Sequence, residues 1–295
     1  MSQPPQDPWA KWLFHRRDGD ATGKRQAALK TLHRIRDRVL YHAQIAEGET
    51  LLDVGTGEGL LAFSALLYVG AQGRVILSDI SQDLLEYCHS LAQQRHVLDQ
   101  CHFLCASADD LSALGNASVD IVTTRSVLIY VKAKQQAFNE FYRVLRSGGR
   151  VSLFEPINRY FWGAEPEHTF HGYDVTPILA LVRKVQAAYH LAQPSATNPM
   201  VDFDEWDLLH SVEQAGFAEI HLDLCIEIMP TPPVSNWEAV MQSAPNPLAP
   251  TLQEALDQAL TADEAEQFVA YMRPLVETTQ GRKRRAVAYL WASKL

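Results

Sequence analysis

Residues 51–59 read Leu-Leu-Asp-Val-Gly-Thr-Gly-Glu-Gly. An apolar run stops at a glycine-rich turn, and apolar residues resume at once as Leu60, Leu61, Ala62 and Phe63. A strand that feeds a tight loop and then a helix is the arrangement that binds a nucleotide-like cofactor. Glycine serves such a loop in two ways: it adopts positive φ, and it lets a ligand approach the backbone where a Cβ would clash. The helix start leaves free N–H groups aimed at whatever lies above the loop. A dinucleotide loop spells G-x-G-x-x-G or G-x-G-x-x-A. Here Gly55, Gly57 and Gly59 are spaced two apart, and Asp53 lies two residues before the first. A carboxylate beside a pyrophosphate is repelled; the same carboxylate suits a ligand carrying an ammonium or sulfonium group.

A second apolar run, Arg74-Val75-Ile76-Leu77-Ser78-Asp79, also ends in an acid. Asp79 follows Gly59 at the spacing by which a βαβ unit delivers a carboxylate to ribose hydroxyls. The competing role for Asp79 is N-cap of a helix over 81–90, for which Ser81 is an equally good cap. Further apolar runs at 101–105, 118–125 and 150–154 alternate with helical patterns. The helix over 134–146 carries Ala137, Phe138, Phe141, Tyr142, Val144 and Leu145 on one stripe. Strands alternating with helices from about 50 to 155 predict a parallel sheet covered on both faces.

The run from Asp53 to Gly59 resembles the first motif of the class I S-adenosylmethionine (SAM) methyltransferases, and the resemblance extends over residues 45 to 155. It implies an α/β fold: a doubly wound, mostly parallel seven-stranded sheet with helices on both faces. The sixth strand falls at 217–229, after a helix over 205–215. The last falls at 284–292, antiparallel and inserted beside the sixth. The resemblance implies SAM as cofactor, held by Asp53, Gly55, Thr56 and Gly57. Asp79 then binds the ribose hydroxyls, and Ile80 packs on the adenine face. The family's adenine-binding Asp is Ser107 here, followed by Ala108, whose backbone N–H would reach the ring. A hydroxyl accepts without charge assistance, and Asp109 is the alternative from a shifted loop. Thr124, Arg125, Ser126 and Tyr130 are placed to touch the cofactor's amino acid or the acceptor; Arg125 and Ser126 are assigned to the cofactor and Tyr130 to the acceptor.

The implied organisation is an N-terminal helical lid over 1–46, a cofactor core over 47–155 and a substrate-covering insert over 156–204. The core continues over 205–229, a helical lid follows over 230–281, and the last strand occupies 282–295. The first insert is rich in aromatics and histidine, with Tyr160, Trp162 and Tyr173 as substrate-binding candidates. Aromatic walls suit a medium-sized, partly apolar acceptor. Should a base be needed, His168 and His171 come first because imidazole titrates near neutral pH. Glu155, at the end of a central strand, comes next. The expected reaction is methyl transfer to a small molecule at oxygen, nitrogen or carbon. The alternatives are an NAD(P)-dependent oxidoreductase, or a SAM-binding protein without transferase activity.

Among the 295 residues, acids outnumber Lys and Arg, giving a net charge of −9. That disfavours a nucleic-acid binder, which needs a basic footprint. Charge is uneven: Lys11, Arg16, Arg17, Lys24, Arg25, Lys30, Arg34, Arg36 and Arg38 face only Asp18, Asp20 and Asp37. A helix over 22–45 with a solvated basic face explains this most simply, with a lid that holds an anion as the sharper reading. The Pro-rich start lacks an apolar signal core and no run is long enough to span a bilayer, so a cytoplasmic protein is expected. The four cysteines form neither a metal nor a disulfide pattern, and Cys101 and Cys105 are expected to be buried on one face of a strand. No metal is expected.

Overall fold

A computed structural model describes residues 7–17, 22–161, 166–231, 236–278 and 281–295; side chains are described from residue 29 onward within the helix that begins at 22. The elements, in chain order, are α1 (Pro8–Lys11), α2 (Thr22–Ala43), β1 (Thr50–Val54), α3 (Leu60–Val69), β2 (Arg74–Asp79), α4 (Gln82–Gln94) and β3 (Cys101–Cys105). Next come β4 (Val119–Arg125), α5 (Lys134–Val144), β5 (Leu145–Pro156), β6 (Thr169–Phe170), β7 (Tyr173–Asp174), α6 (Leu179–Ala192) and α7 (Glu205–Gln214). The chain ends with β8 (Ala218–Thr231), α8 (Trp237–Met241), α9 (Leu252–Ala259), α10 (Ala262–Thr278) and β9 (Gly281–Ser293).

Seven strands form one sheet in the order β3-β2-β1-β4-β5-β9-β8. The first five are mutually parallel, and β9 runs antiparallel between β5 and β8. Leu51, Leu52 and Val54 of β1 are buried, as a central parallel strand covered on both faces requires. One face is packed by the second half of α2 with α3 and α4, through Ile35, Val39, Leu61, Phe63, Leu85 and Cys88. The other is packed by α5 and α7, through Phe138, Phe141, Leu208 and Val212. Thus the second half of α2 is not lid but core layer. Ser152 Oγ donates to the Val39 carbonyl at 2.8 Å, and Arg150 Nε to that of Ala43 at 2.6 Å.

The expected helix over 134–146 stops at Val144, because Leu145 is already extended and pairs with Val119. Three helix starts follow their sequence signals: Ser81 caps α4, Asp204 with Asp207 boxes α7, and Thr251 with Glu254 boxes α9. α10 runs through Pro274, with Phe268, Met272 and Val276 buried along one stripe.

The two inserts share a single core of their own. The β6–β7 hairpin and α6 from the first join α8, α9 and α10 from the second around Phe170, Val182, Val185, Trp237, Leu256 and Phe268. The hairpin's turn, His171-Gly172, has φ of 51° and 83°, and its backbone lies against Arg282 of β9. Neither α6 nor this hairpin was assigned from the sequence, although Val182, Val185 and Tyr189 have helical spacing. Cys101 is half-buried but Cys105 is exposed, contrary to expectation, because it stands where β3 leaves the sheet.

Candidate cofactor and acceptor site

The glycine loop at the carboxyl end of β1 is held by Asp53 beneath it. The Asp53 carboxylate accepts from Thr56 Oγ1 at 2.8 Å and from the Ala62 N–H at 3.2 Å, both on Oδ2, and from Thr123 Oγ1 at 3.0 Å on Oδ1. Three of its roughly four acceptor positions are therefore used. Burial pushes its pKa up to about 6, against the lowering effect of those donors and of the Arg125 charge. Asp53 acts on the loop, joining β1, β4 and the start of α3, rather than standing open to a ligand. Above it, Gly55 has φ +65°, and a Cβ there would stand 2.3 Å from Val127 Cγ2.

Asp79 is placed differently. Its Oδ2 accepts from the Gly57 N–H at 2.9 Å and its Oδ1 from the Ser81 N–H at 3.0 Å. The Ile80 N–H adds a weaker backbone contact, and the acceptor capacity that remains suits neighbouring hydroxyls. Ser81 is the helix cap, so Asp79 does not serve as one. Burial, and after it the backbone donors and nearby Asp7, set its pKa, with a net shift upward. Next to it Ile80 is 51% exposed, an apolar platform at the strand's end. Across from Ile80, Ser107 Oγ donates to Asp109 Oδ1, so the two alternative adenine acceptors form one pair, with Ala108 buried between them. One residue below the strand ends, Ser78 and Thr124 flank Val54 in register. Both are fully buried, and neither hydroxyl has a hydrogen-bond partner among the described residues. What fits a nucleoside-bearing ligand is the strand end itself, where the Asp79 carboxylate stands beside the exposed apolar Ile80.

At the end of β4, Arg125 lies within the electrostatic reach of Arg17, Asp53, Glu155 and Glu58, and burial weakens its hold on its proton. Ser126 has φ +57° and donates its N–H to the Phe154 carbonyl at 2.8 Å. Tyr130 meets Trp9 edge-on at 4.9 Å, and burial raises its phenol pKa. Arg125, Ser126 and Tyr130 thus lie at or just after the end of β4, as the glycine loop follows the end of β1.

Several expected acceptor-side residues are elsewhere. Glu155 is 0% exposed. It accepts from the Val127 and Leu128 N–H groups, both at 2.9 Å, and from that of Ile129 at 3.1 Å. It is the anchor of the turn after β4, not an open base, and burial pushes its pKa to about 7. His168 and His171 are exposed on the β6–β7 hairpin, so neither is a buried general base. Tyr173 is buried inside the helical unit's own core. Tyr160 is exposed and donates to Glu205 Oε1 at 2.7 Å. Trp162 lies outside the described residues. Within the expected N-terminal lid over 1–46, the sequence reading did not single out Asp7, Trp9 or Leu13. The signal there was Asp7-Pro8, an N-cap followed by proline at the first helical position.

A profile of the methyltransferase domain matches residues 45–216, more than half of the chain. The chain belongs to that methyltransferase family. The ubiquinone/menaquinone biosynthesis C-methyltransferase UbiE of Stenotrophomonas maltophilia is 29% identical over 181 residues, covering 61% of this chain and 70% of its own. Among solved structures, the YcgJ protein of Bacillus subtilis is 16% identical and superposes with a TM-score of 0.54 over 89% of this chain and 98% of its own. The phosphoethanolamine N-methyltransferase 2 of Haemonchus contortus, solved with S-adenosyl-L-methionine, is 14% identical; its TM-score is 0.50 over 97% of this chain and 56% of its own. The protein is a SAM-dependent methyltransferase, and the oxidoreductase alternative is set aside. SAM brings its own activated methyl group, so the residues around it need only align, shield and bind. Among the described residues no helix is long and apolar enough to cross a membrane.

Proposed function

We propose that the enzyme methylates a small, partly apolar acceptor by in-line transfer from SAM, at the carboxyl end of the sheet beneath the helical unit. The observation that carries this reading is the partly used Asp79 carboxylate beside exposed Ile80. One fits the ribose hydroxyls and the other the adenine face. The Ser107–Asp109 pair and the Ala108 N–H take the adenine edge. The backbone of Gly55, Thr56 and Gly57 faces the sulfonium end, and Arg125 and Ser126 take the methionine head. Tyr130, with Trp9 against it, borders the acceptor.

No base is assigned. Glu155 is fully engaged and both histidines are on the surface, so alignment and exclusion of water do the catalytic work. Carbon acceptors are the first to test, because the UbiE relatives are named C-methyltransferases. Oxygen and nitrogen acceptors follow. We place the enzyme in the cytoplasm; its cysteines are free thiols, as a reducing compartment maintains them. The test is calorimetric titration with SAM, S-adenosylhomocysteine (SAH) and NADH, then an acceptor panel scored by mass spectrometry for SAH and a 14-Da product gain. Micromolar SAH binding with SAH formed from one acceptor class supports the reading. Binding of NADH alone overturns it.

A further inference from the structure

Residues 7–17 cross the mouth of the site and are fastened at both ends. At one end, Asp7 Oδ1 caps α1 by accepting from the N–H groups of Trp9 at 2.9 Å and Ala10 at 3.0 Å. Its other oxygen, Oδ2, accepts from Ser81 Oγ at 2.5 Å, and its own N–H donates to Asp83 Oδ2 at 2.6 Å. Ser81 in turn caps α4 through the Leu84 N–H, and its N–H holds Asp79. Two helix caps are thus hydrogen-bonded to each other directly beside the ribose acid.

Between the fastenings, Trp9 packs on Tyr130, and Ala10 is fully buried. Leu13 lies over Gly57, where an added Cβ would be 3.5 Å from its Cδ2. Phe14 packs on Tyr87 at 5.0 Å. At the far end, Arg17 pairs with Glu58 of the glycine loop at 3.4 Å. Trp12 Nε1 donates to the Ala244 carbonyl at 2.9 Å, and the Ala244 N–H donates to the Arg16 carbonyl at 2.8 Å. Arg16 also pairs with Glu254 of α9. The segment therefore joins the cofactor core to the helical unit across the space where cofactor and acceptor meet.

We propose that Asp7 is a positioning residue for methyl transfer, latching residues 7–17 over the bound cofactor as a roof that must lift for entry and product release. The proposal rests on the SAM site described above. A roof fixed to Ser81 closes best when Asp79 and Ser81 are themselves fixed by a bound ribose, so cofactor and latch strengthen each other. Release of SAH then requires the latch to open, a step that commonly limits turnover in lidded enzymes.

The test compares wild type, Asp7→Ala and Asp7→Asn by stopped-flow SAH dissociation and by hydrogen exchange with and without SAH. Asp7→Ala removes both cap bonds and the Ser81 bond, and we expect SAH to dissociate about tenfold faster. SAH should slow exchange of residues 7–17 in wild type and not in Asp7→Ala. Asp7→Asn keeps an oxygen for Trp9 and Ala10 and turns its NH2 to donate to the remaining lone pair of Ser81 Oγ, so the latch bond persists in reversed direction and dissociation should return to within about threefold of wild type. An equal dissociation rate in Asp7→Ala, or exchange over 7–17 that SAH leaves unchanged in wild type, overturns the latch while leaving the cofactor site standing. Wild type that binds neither SAM nor SAH overturns the site itself, and the latch with it.

Discussion

Asp79→Asn, read with SAH and with an analogue lacking both ribose hydroxyls, separates ribose recognition from the carboxylate's hold on the loop. The native carboxylate takes well-formed backbone bonds from Gly57 on one oxygen and Ser81 on the other, with a weaker one from Ile80, and keeps acceptor capacity for a ligand. Asparagine has the same shape but one acceptor oxygen. Either orientation of the amide sets its NH2 against one of those N–H donors, so one loop bond and one ribose bond are lost together, with the charge. Charge-assisted bonds are worth roughly twice neutral ones, and losing one in this setting costs about 1–3 kcal/mol. That is about a 5- to 150-fold rise in the Kd for SAH. The assay is isothermal titration at pH 8 with SAH and with its 2′,3′-dideoxy analogue. If Asp79 binds the hydroxyls, wild type loses affinity for the analogue, and the variant, having lost its partner already, discriminates far less between the two ligands. Equal losses in Asp79→Asn for both ligands would show that the carboxylate acts only on the loop, and would refute the ribose assignment. The pH dependence has a fixed sign. Bound hydroxyls favour the ionised carboxylate, and burial holds its pKa above the ordinary value. SAH affinity should therefore weaken as pH falls into the acid range, and the slope should be absent in Asp79→Asn.

Asp53 gives a stability prediction of opposite sense to an ordinary ion-paired acid. Its folded pKa, about 6, lies above the ordinary 3.8, so stability is fully present below 3.8 and declines as pH rises to about 6. The decline amounts to about 3 kcal/mol. In Asp53→Asn the amide oxygen can keep Thr56 and Ala62 while its NH2 donates to the Thr123 hydroxyl, so Tm relative to wild type should climb between pH 4 and 6 and level off above; a constant difference contradicts the assignment. Glu155→Ala leaves three buried N–H groups without partners and should lower stability by about 3 kcal/mol or more, read as a denaturant midpoint shift. Gly55→Ala forces a Cβ against Val127 at positive φ, at a cost of about 1–3 kcal/mol, and should weaken SAH binding in calorimetry while far-UV circular dichroism stays unchanged. His168→Ala with His171→Ala should leave SAH affinity within about twofold in the same titration, since both residues are exposed on the hairpin.

The cofactor half of the molecule was legible because local chemistry and long-range topology point the same way there. A buried strand, a glycine turn and an acid at fixed spacing on the next strand are each readable within a few residues. The sheet order follows from short connections between parallel strands. What a carboxylate does at such a position was less legible. Asp53 and Glu155 look in sequence like groups offered to a ligand, and both prove to be occupied by backbone and hydroxyl donors. How firmly each carboxylate is occupied depends on residues far off in the chain, such as Thr123 for Asp53 and Val127 for Glu155, whereas the donors to Asp79 are the nearby Ser81 and Ile80 with Gly57 of the loop.

The acceptor half was less legible for a different physical reason. Aromatics between 156 and 204 suit both the walls of a pocket and a core of the insert's own, and Phe170 and Tyr173 form a core with α9 and α10, some eighty or more residues away in sequence. A helix or hairpin too small to bury its own apolar stripe must borrow a partner, and a single stripe does not say which. The two inserts, over 156–204 and 230–281, accordingly share one core. Its connection to the cofactor is carried by a short segment before α2 that holds Trp9, Trp12 and Phe14 and starts at one good cap, Asp7. Substrate choice in this enzyme is accordingly to be sought where Trp9, Leu13 and Tyr130 come together, rather than among the more numerous aromatics of the insert.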